Sequence, residues 1–283
     1  MGLAADSDQR LQAAVTFELS HNENNGHVFL PRNKLISATT QLLDSGAELV
    51  EQALDSLIER GAVVQEQVAN VEACYLRRLW EAECSACIRL AGLLAADTDC
   101  SAQAGRAVDE LEAQQGITYA PLQRQAVELA ARTGVLVLTG GPGTGKTTTV
   151  RGIVALFRRM GLEIVLAAPT GRAAKRMSEL TGMEAQTVHR MLGMSWNDVT
   201  HQVTFQKTEK EPLEADAVIV DEMSMVDLAL FSALLRALRP GTRLVLVGDA
   251  DQLPSVGAGN VFSDLIRSGR VETIRREMTE SGV

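Results

Sequence analysis

Aromatic side chains are scarce in this chain. Phe, Trp and Tyr make up 4% of its 283 residues, which argues against base stacking as the main mode of any nucleic-acid binding. Cysteines are few: Cys74, Cys84, Cys87 and Cys100. Cys84-Ser85-Ala86-Cys87 has metal-ligand spacing, but it falls inside Leu76–Leu94, which repeats with helical period and offers no turn to fold ligands around an ion. Reduced, half-buried thiols on a helix are the expectation there. No apolar run approaches the roughly 18 residues of a membrane helix, and no secretory pattern opens the chain. Met1-Gly2 suggests a lipidation start, yet Asp6 stands where Ser or Thr is required. A cytoplasmic location, away from membranes, is the expectation. Repeats and low-complexity tracts are absent as well.

Basic charge is lacking in the first part of the chain. Residues 1–117 hold 8 basic and 18 acidic side chains, the remainder 19 and 18. A polyanion gripped by bulk field is excluded for the N-terminal part, so any such contact must come from local clusters further on.

What is present first is a helical region. Residues 1–20, Arg32–Leu43 and Ala47–Glu59 read as helices. Two β-rich runs follow, Ala62–Gln67 and Val71–Leu76, with Ala69-Asn70 as the turn. Helix, helix, helix and a two-stranded wing is the order of a winged helix-turn-helix. The helix in the recognition position carries Glu48, Glu51, Asp55 and Glu59 against Arg60 alone. Such a helix is a poor major-groove reader, and a structural role or a protein partner at this acidic domain is the favoured reading. Leu76–Leu94 and Ala102–Gln114 read as connecting helices joined by the polar Asp97–Ser101. The domain boundary is expected near Gln115–Ile117, giving an N-terminal domain over 1–116 and a second over 117–283.

From Tyr119 the pattern changes to strands alternating with helices. Val135–Thr139, Glu163–Ala167, Ala217–Val220 and Arg243–Val247 are short apolar runs, which predicts an α/β fold with a parallel sheet and helices on both faces. Trp196–Glu211, with Val199 and Val203-Thr204-Phe205, reads as a hairpin insertion. Between the first strand and a helix lies Gly140-Gly141-Pro142-Gly143-Thr144-Gly145-Lys146-Thr147. Glycines let the backbone curl so that its amides point inward at phosphate oxygens, and the helix N-terminus adds partial positive charge. Lys146 is expected on the β- and γ-phosphates of a nucleoside triphosphate and the Thr147 hydroxyl on Mg2+. Gly141, Pro142, Gly143, Thr144, Gly145 and Thr148 complete the loop and its first turn.

Ala217–Val220 delivers Asp221 and Glu222 at its C-terminal end, where an open α/β sheet places its ligand site. Asp221 is expected to hold magnesium through water, and Glu222 to orient or deprotonate an attacking water, so the chemistry is hydrolysis. Asp249 and Gln252 follow the next strand, with Gln252 suited to sensing a γ-phosphate without changing charge. Ala168-Pro169-Thr170-Gly171 opens a helix bearing Arg172, Lys175 and Arg176, a phosphate-backbone pattern that a solvated basic face would also produce.

These stretches, with Thr187–Leu192, together resemble the first RecA-like motor domain of a superfamily 1 DNA helicase of the RecD-like branch. Asp221-Glu222-Met223-Ser224-Met225-Val226-Asp227 and the run Gly248–Gly257 are its most specific strings. The resemblance covers residues 118–266 most firmly, and residues 1–95 more loosely resemble the helical region preceding such motors. It implies ATP hydrolysis coupled to 5′→3′ movement on single-stranded DNA or a single-strand/duplex junction. It also implies that Gln123 reads the adenine, and that Thr170, Gly171 and His189 line the strand track beside Arg172 and Lys175. The family's second RecA-like domain supplies an arginine to the γ-phosphate. Because the sequence given ends at Val283, slow turnover and no unwinding by this chain alone are expected. The competing reading is a P-loop ATPase switch that does not translocate and acts on a partner protein.

Overall fold

Apolar runs of four to six residues, closed by Gly140, Gly248, Asp221 and Pro169, dictate the centre of the larger sheet. A computed structural model describes residues 7–96, 101–197 and 202–276. The Met1-Gly2 start, Asp97–Cys100, Val199 and the tail from Glu277 lie outside the described residues.

In chain order the first elements are α1 (Asp8–Glu23), β1 (Phe29–Pro31), α2 (Arg32–Leu43), α3 (Ala47–Glu59), β2 (Val63–Val68) and β3 (Val71–Leu76). Then come α4 (Arg77–Ala95), α5 (Ser101–Gln115), α6 (Pro121–Arg132), β4 (Val135–Gly140), α7 (Lys146–Arg159) and β5 (Ile164–Ala168). α8 (Gly171–Thr181), β6 (Ala185–Thr187), α9 (Val188–Met191), β7 (Met194–Asn197), β8 (Gln202–Phe205) and β9 (Ala217–Val220) follow. A 3-10 turn over Met223–Met225 leads to α10 (Leu228–Ala237), β10 (Arg243–Gly248), α11 (Val261–Ser268) and β11 (Glu272–Arg276).

By packing, the chain divides into two compact units. One is residues 1–84 with 227–229 and 255–260; the other is 85–226, 230–254 and 261–283. In the first, Leu11, Val15 and Leu19 recur every fourth residue along α1 and meet Leu35, Val50, Leu54 and Cys74 in one core. The β2–β3 hairpin turns at Ala69 and Asn70, whose φ angles of 45° and 67° are those of a turn matched to strand twist. β1 pairs antiparallel with β3, giving the order β1-β3-β2. Helix–strand–helix–helix–hairpin is the winged-helix order. The sequence reading omitted β1, because three residues ended by Pro31 are too short to show alternation.

The second unit is built on a six-stranded sheet of order β11-β4-β10-β9-β5-β6, parallel at every pairing. Leu136, Leu138, Ile219, Val245 and Val247 face a core shared with α5, α6 and α7. The alternate residues Val135, Val137, Val218, Val220, Leu244 and Leu246 are buried too. Burial on both faces is what a parallel sheet requires. Gly152 on α7 has a packing reason: a Cβ there would lie 2.9 Å from the Tyr119 hydroxyl and from Val127. Its absence lets α6 approach α7. Ala104, Val108 and Leu111 of α5 belong to this core, so α5, placed before the boundary by sequence, packs with the sheet that follows it.

Two strands of this sheet were not read from the sequence. β6 is three residues long, and β11 is a charged edge strand whose Ile274 alone turns inward over its described side chains. β11 lies against β4 in register from Glu272 opposite Leu136 to Arg276 opposite Gly140. This charged stretch is thus the edge strand beside the one that leads into the glycine-rich loop. β7 and β8 form the expected antiparallel hairpin.

Candidate nucleotide-binding site

The glycine-rich loop takes the conformation its glycines allow. Gly143 and Gly145 have φ of 76° and 83°, a region costly for a residue with a Cβ. Thr144 is buried, and its hydroxyl donates to the Gly141 carbonyl at 2.9 Å. The Lys146 ammonium donates to the Gly141 carbonyl at 2.9 Å and also to that of Gly140. The loop thus folds around the lysine head group and presents the N-terminus of α7.

A cleft of about 310 Å³ opens beside it, lined by the whole loop from Gly141 to Thr147 and by Asp221, Glu222 and Gln252. The carboxylates arrive from β9. Asp221 Oδ1 accepts from the Glu222 amide at 2.9 Å, and the Asp221 amide donates to the Ala167 carbonyl of β5 at 3.0 Å. Glu222 sits at φ 55°, ψ 41°, a left-handed conformation of order 1 kcal/mol unfavourable for a glutamate. Strain of this kind turns the chain sharply, so that its side chain enters the cleft instead of following the strand. Burial pushes the Asp221 carboxyl above its ordinary value, opposed by the Glu222 amide and by Lys146 and Arg176. Burial also raises Glu222, with the neighbouring Asp221 charge acting in the same direction and Lys146 and Arg176 against it. The carboxylates therefore depend on the cations around the cleft to stay charged.

Gln252 is held by its own loop. Its amide nitrogen Nε2 lies 3.5 Å from Asp249 Oδ2, and Asp249 Oδ1 accepts from the Asp251 amide at 3.1 Å. Asp249, expected among the nucleotide contacts, is buried beneath this loop and is not part of the cleft wall. The buried Thr139, at the end of β4, accepts from the Ala250 amide at 3.2 Å and so pins the Gln252 loop to the strand that leads into the glycine-rich loop. A Cβ on Gly248 would lie 2.9 Å from the Phe262 ring and 3.3 Å from the Met223 backbone nitrogen, so a glycine suits the end of β10 where it meets α11 and the turn after β9. Nothing in the sequence marked Thr139, since a Thr ending a buried strand is unremarkable.

Gln123 lies on α6 with Oε1 accepting from the Ala120 amide at 3.0 Å and Nε2 reaching the Gly145 carbonyl at 3.4 Å. It borders the loop without lining the cleft. Thr148 is exposed on the first turn of α7, outside the cleft lining.

The helix after β5 begins as expected. Thr170 caps α8, its hydroxyl accepting from the Ala173 amide at 3.2 Å. Gly171, Arg172 and Lys175 are exposed on that helix, outside the cleft. His189 stands on α9 with its ring centroid 6.5 Å from that of Phe205. The residue that sequence reasoning left in the basic run is Arg176, which lines the cleft with Met177, Leu180 and Thr181 of the same helix. Helical phase was the available signal: positions 176, 177, 180 and 181 share one side. Among the described residues no cluster of His, Cys, Asp and Glu is grouped to hold a metal on its own, and no helix is long and apolar enough to cross a membrane.

The sequence profile of an AAA domain matches residues 123–258. An ATP-dependent RecD2 DNA helicase of Deinococcus radiodurans is 36% identical over 269 residues, covering 91% of this chain and 36% of that protein. The RecBCD enzyme subunit RecD of Mycolicibacterium smegmatis is 40% identical over 215 residues, covering 68% of this chain and 37% of that protein. The RecD subunit of Haemophilus influenzae is 38% identical over 168 residues, covering 50% of this chain and 26% of that subunit. The chain spans about a third of the length of the first two of these curated relatives.

Proposed function

The chain carries a RecD-like superfamily 1 helicase motor domain, and from that premise we propose that it binds and hydrolyses Mg-ATP and couples the cycle to a single DNA strand. One observation carries the reading: the glycine-rich loop, Asp221, Glu222 and Gln252, far apart in sequence, line a single cleft. The donors suit the groups proposed. Left-handed glycines and the start of α7 offer backbone N–H groups to phosphate oxygens. A hydroxyl from Thr147 and a carboxylate from Asp221 on the same cleft are the hard oxygen ligands that magnesium takes. Magnesium bound there supplies charge neutralisation to the phosphates.

Each residue then has a role. Lys146 exchanges its loop carbonyls for phosphate oxygens as charge-assisted partners. Glu222 accepts the proton of the attacking water at its carboxylate, which must be ionised to do so. Gln252, oriented by Asp249, donates to that water or to a phosphate oxygen. Gln123, beside Gly145, reads the base. Thr170, Gly171, Arg172, Lys175 and His189 hold the strand backbone, and the DNA they act on is taken to be in the cytoplasm. The Deinococcus relative is named a DNA helicase, and we extend unwinding to this protein as part of the same proposal.

The test is titration of Mg-ATP into the purified chain, followed by phosphate release with and without oligo-dT. Nucleotide binding lost in Lys146→Ala, and turnover lost in Glu222→Gln with binding retained, are the expected results. Equal binding by wild type and Lys146→Ala overturns the proposal.

A further inference from the structure

Three cations follow the cap of α8, and the structure separates them. Arg172 and Lys175 stand outside the nucleotide cleft, whereas Arg176 lines it together with Lys146, Thr147, Asp221 and Glu222. Lys175 has a partner at the edge of ion-pair range, Glu179 at 3.9 Å. Arg176 is exposed and makes no ion pair or hydrogen bond among the described residues, so the five N–H donors of its guanidinium are uncommitted. Its backbone is not free to drift. Met177, the next residue, is 2% exposed and belongs to the core that α7 shares with the sheet. A buried anchor thus fixes where the guanidinium starts, and its long stem lets it sweep the cleft rim.

We infer that Arg176 is a contact for the terminal phosphate of the bound nucleotide, lining the same cleft as Lys146 and borne on the helix proposed to hold the DNA strand. This rests on the ATP-site reading above and adds to it a second protein cation from the same domain. The chemistry favours an arginine. Its planar fork matches two oxygens of a tetrahedral phosphate, while Lys146 acts as a point charge. The site also needs the charge: two half-buried carboxylates, Asp221 and Glu222, stand among the phosphates, and Arg176 already acts on both electrostatically. Lys175 precedes Arg176 by one residue, about 100° around α8, so a phosphate that draws Arg176 inward acts on the element carrying Arg172 and Lys175. Presence or loss of the terminal phosphate is thereby transmitted to the strand-facing turn without an intervening loop.

The experiment compares binding of adenylyl-imidodiphosphate and of ADP, each with magnesium, to the full chain as wild type, Arg176→Ala, Arg176→Lys and Lys146→Ala. Arg176→Ala is expected to weaken the triphosphate analogue about tenfold and to leave ADP within about twofold, with Arg176→Lys intermediate. Unchanged binding of both nucleotides by Arg176→Ala overturns the inference, as does equal weakening of both. Loss of single-strand affinity with intact nucleotide binding also overturns it, and assigns Arg176 to the DNA track. Lys146→Ala serves as the separate control: if it leaves both nucleotides bound, the ATP-site reading itself has failed, irrespective of Arg176.

Discussion

Two helices of this chain carry charge mainly of one sign, acidic on α3 and basic at the start of α8, and the structure treats them differently. α3 is acidic, with Glu48, Glu51, Asp55 and Glu59. Arg32, its side chain 14% exposed, donates to Asp55 at 2.7 Å, to Glu51 at 3.2 Å and to Gln65 of β2 at 2.9 Å. Half of the acidic face is thus consumed in clamping α3 to α2 and the hairpin. The start of α8 is basic, with Arg172, Lys175 and Arg176. Among the described residues Lys175 is the one of the three in an ion pair, with Glu179 at 3.9 Å, while Arg176 acts on Asp221 and Glu222 across the cleft lining without a hydrogen bond. Charge committed to internal partners stabilises a unit; charge left uncommitted beside a cleft is available to a ligand. A charge run in a sequence does not say which kind it is.

Several perturbations sharpen that contrast. The largest effect is expected from Lys146→Ala, which should lower ATP affinity by roughly 10²-fold by removing an ionic partner of two phosphates, read by fluorescent-nucleotide titration. Next, Arg172→Ala combined with Lys175→Ala should weaken oligo-dT binding and lower the slope of log affinity against log salt by about 0.7 per cation removed. Arg32→Ala should leave that slope unaltered and instead cost about 1 kcal/mol in urea unfolding. A salt slope that changes with Arg32 and not with the α8 pair would reverse the assignment of the two helices.

Smaller effects concern the carboxylates. Burial raises the folded-state pKa of Asp221, so the folded protein holds that proton to higher pH than the unfolded chain. Stability is therefore retained below the ordinary aspartate pKa of about 4 and lost as pH rises through the folded value. Asp221→Asn, which keeps the acceptor for the Glu222 amide, should melt higher than wild type at neutral pH. The gap should close near pH 4, while magnesium-dependent ATP binding weakens. Smallest is Glu209, held down to about 2 chiefly by its hydrogen bond to Arg236, with Arg89 adding charge. Its contribution is present above the ordinary glutamate value and fades as pH falls toward 2. Because the pair is part-exposed, Glu209→Gln should cost under about 1 kcal/mol at neutral pH, and added salt should shrink the difference.

Much of the sheet and cleft was legible because punctuation and motif coincide. Pro31 and Gly46 precede α2 and α3, Gly61 follows α3, and both helices run as the sequence predicts. The loop Gly140–Thr147 must follow a strand and open a helix, so β4 and α7 were placed together. Three kinds of feature were not legible. Short or edge strands such as β1, β6 and β11 derive their pairing from partners distant in sequence, not from their own pattern. The left-handed backbone at Glu222 is imposed by the surrounding packing on a residue that would not choose it. Thr139 and Arg176 act through neighbours that only folding supplies: one accepts from the Gln252 loop, the other turns one cation of a basic run toward the phosphates.

The measurement that most directly tests the account is the affinity of the purified chain for fluorescein-labelled oligo-dT, at fixed salt, with adenylyl-imidodiphosphate and with ADP. The account predicts that the two nucleotide states bind the strand with different affinities, and that the oligonucleotide shifts nucleotide affinity by the same factor, as linkage demands. Strand affinity that is identical in both states, with both nucleotides bound, would contradict it: α8 would then hold charge beside two ligands without connecting them.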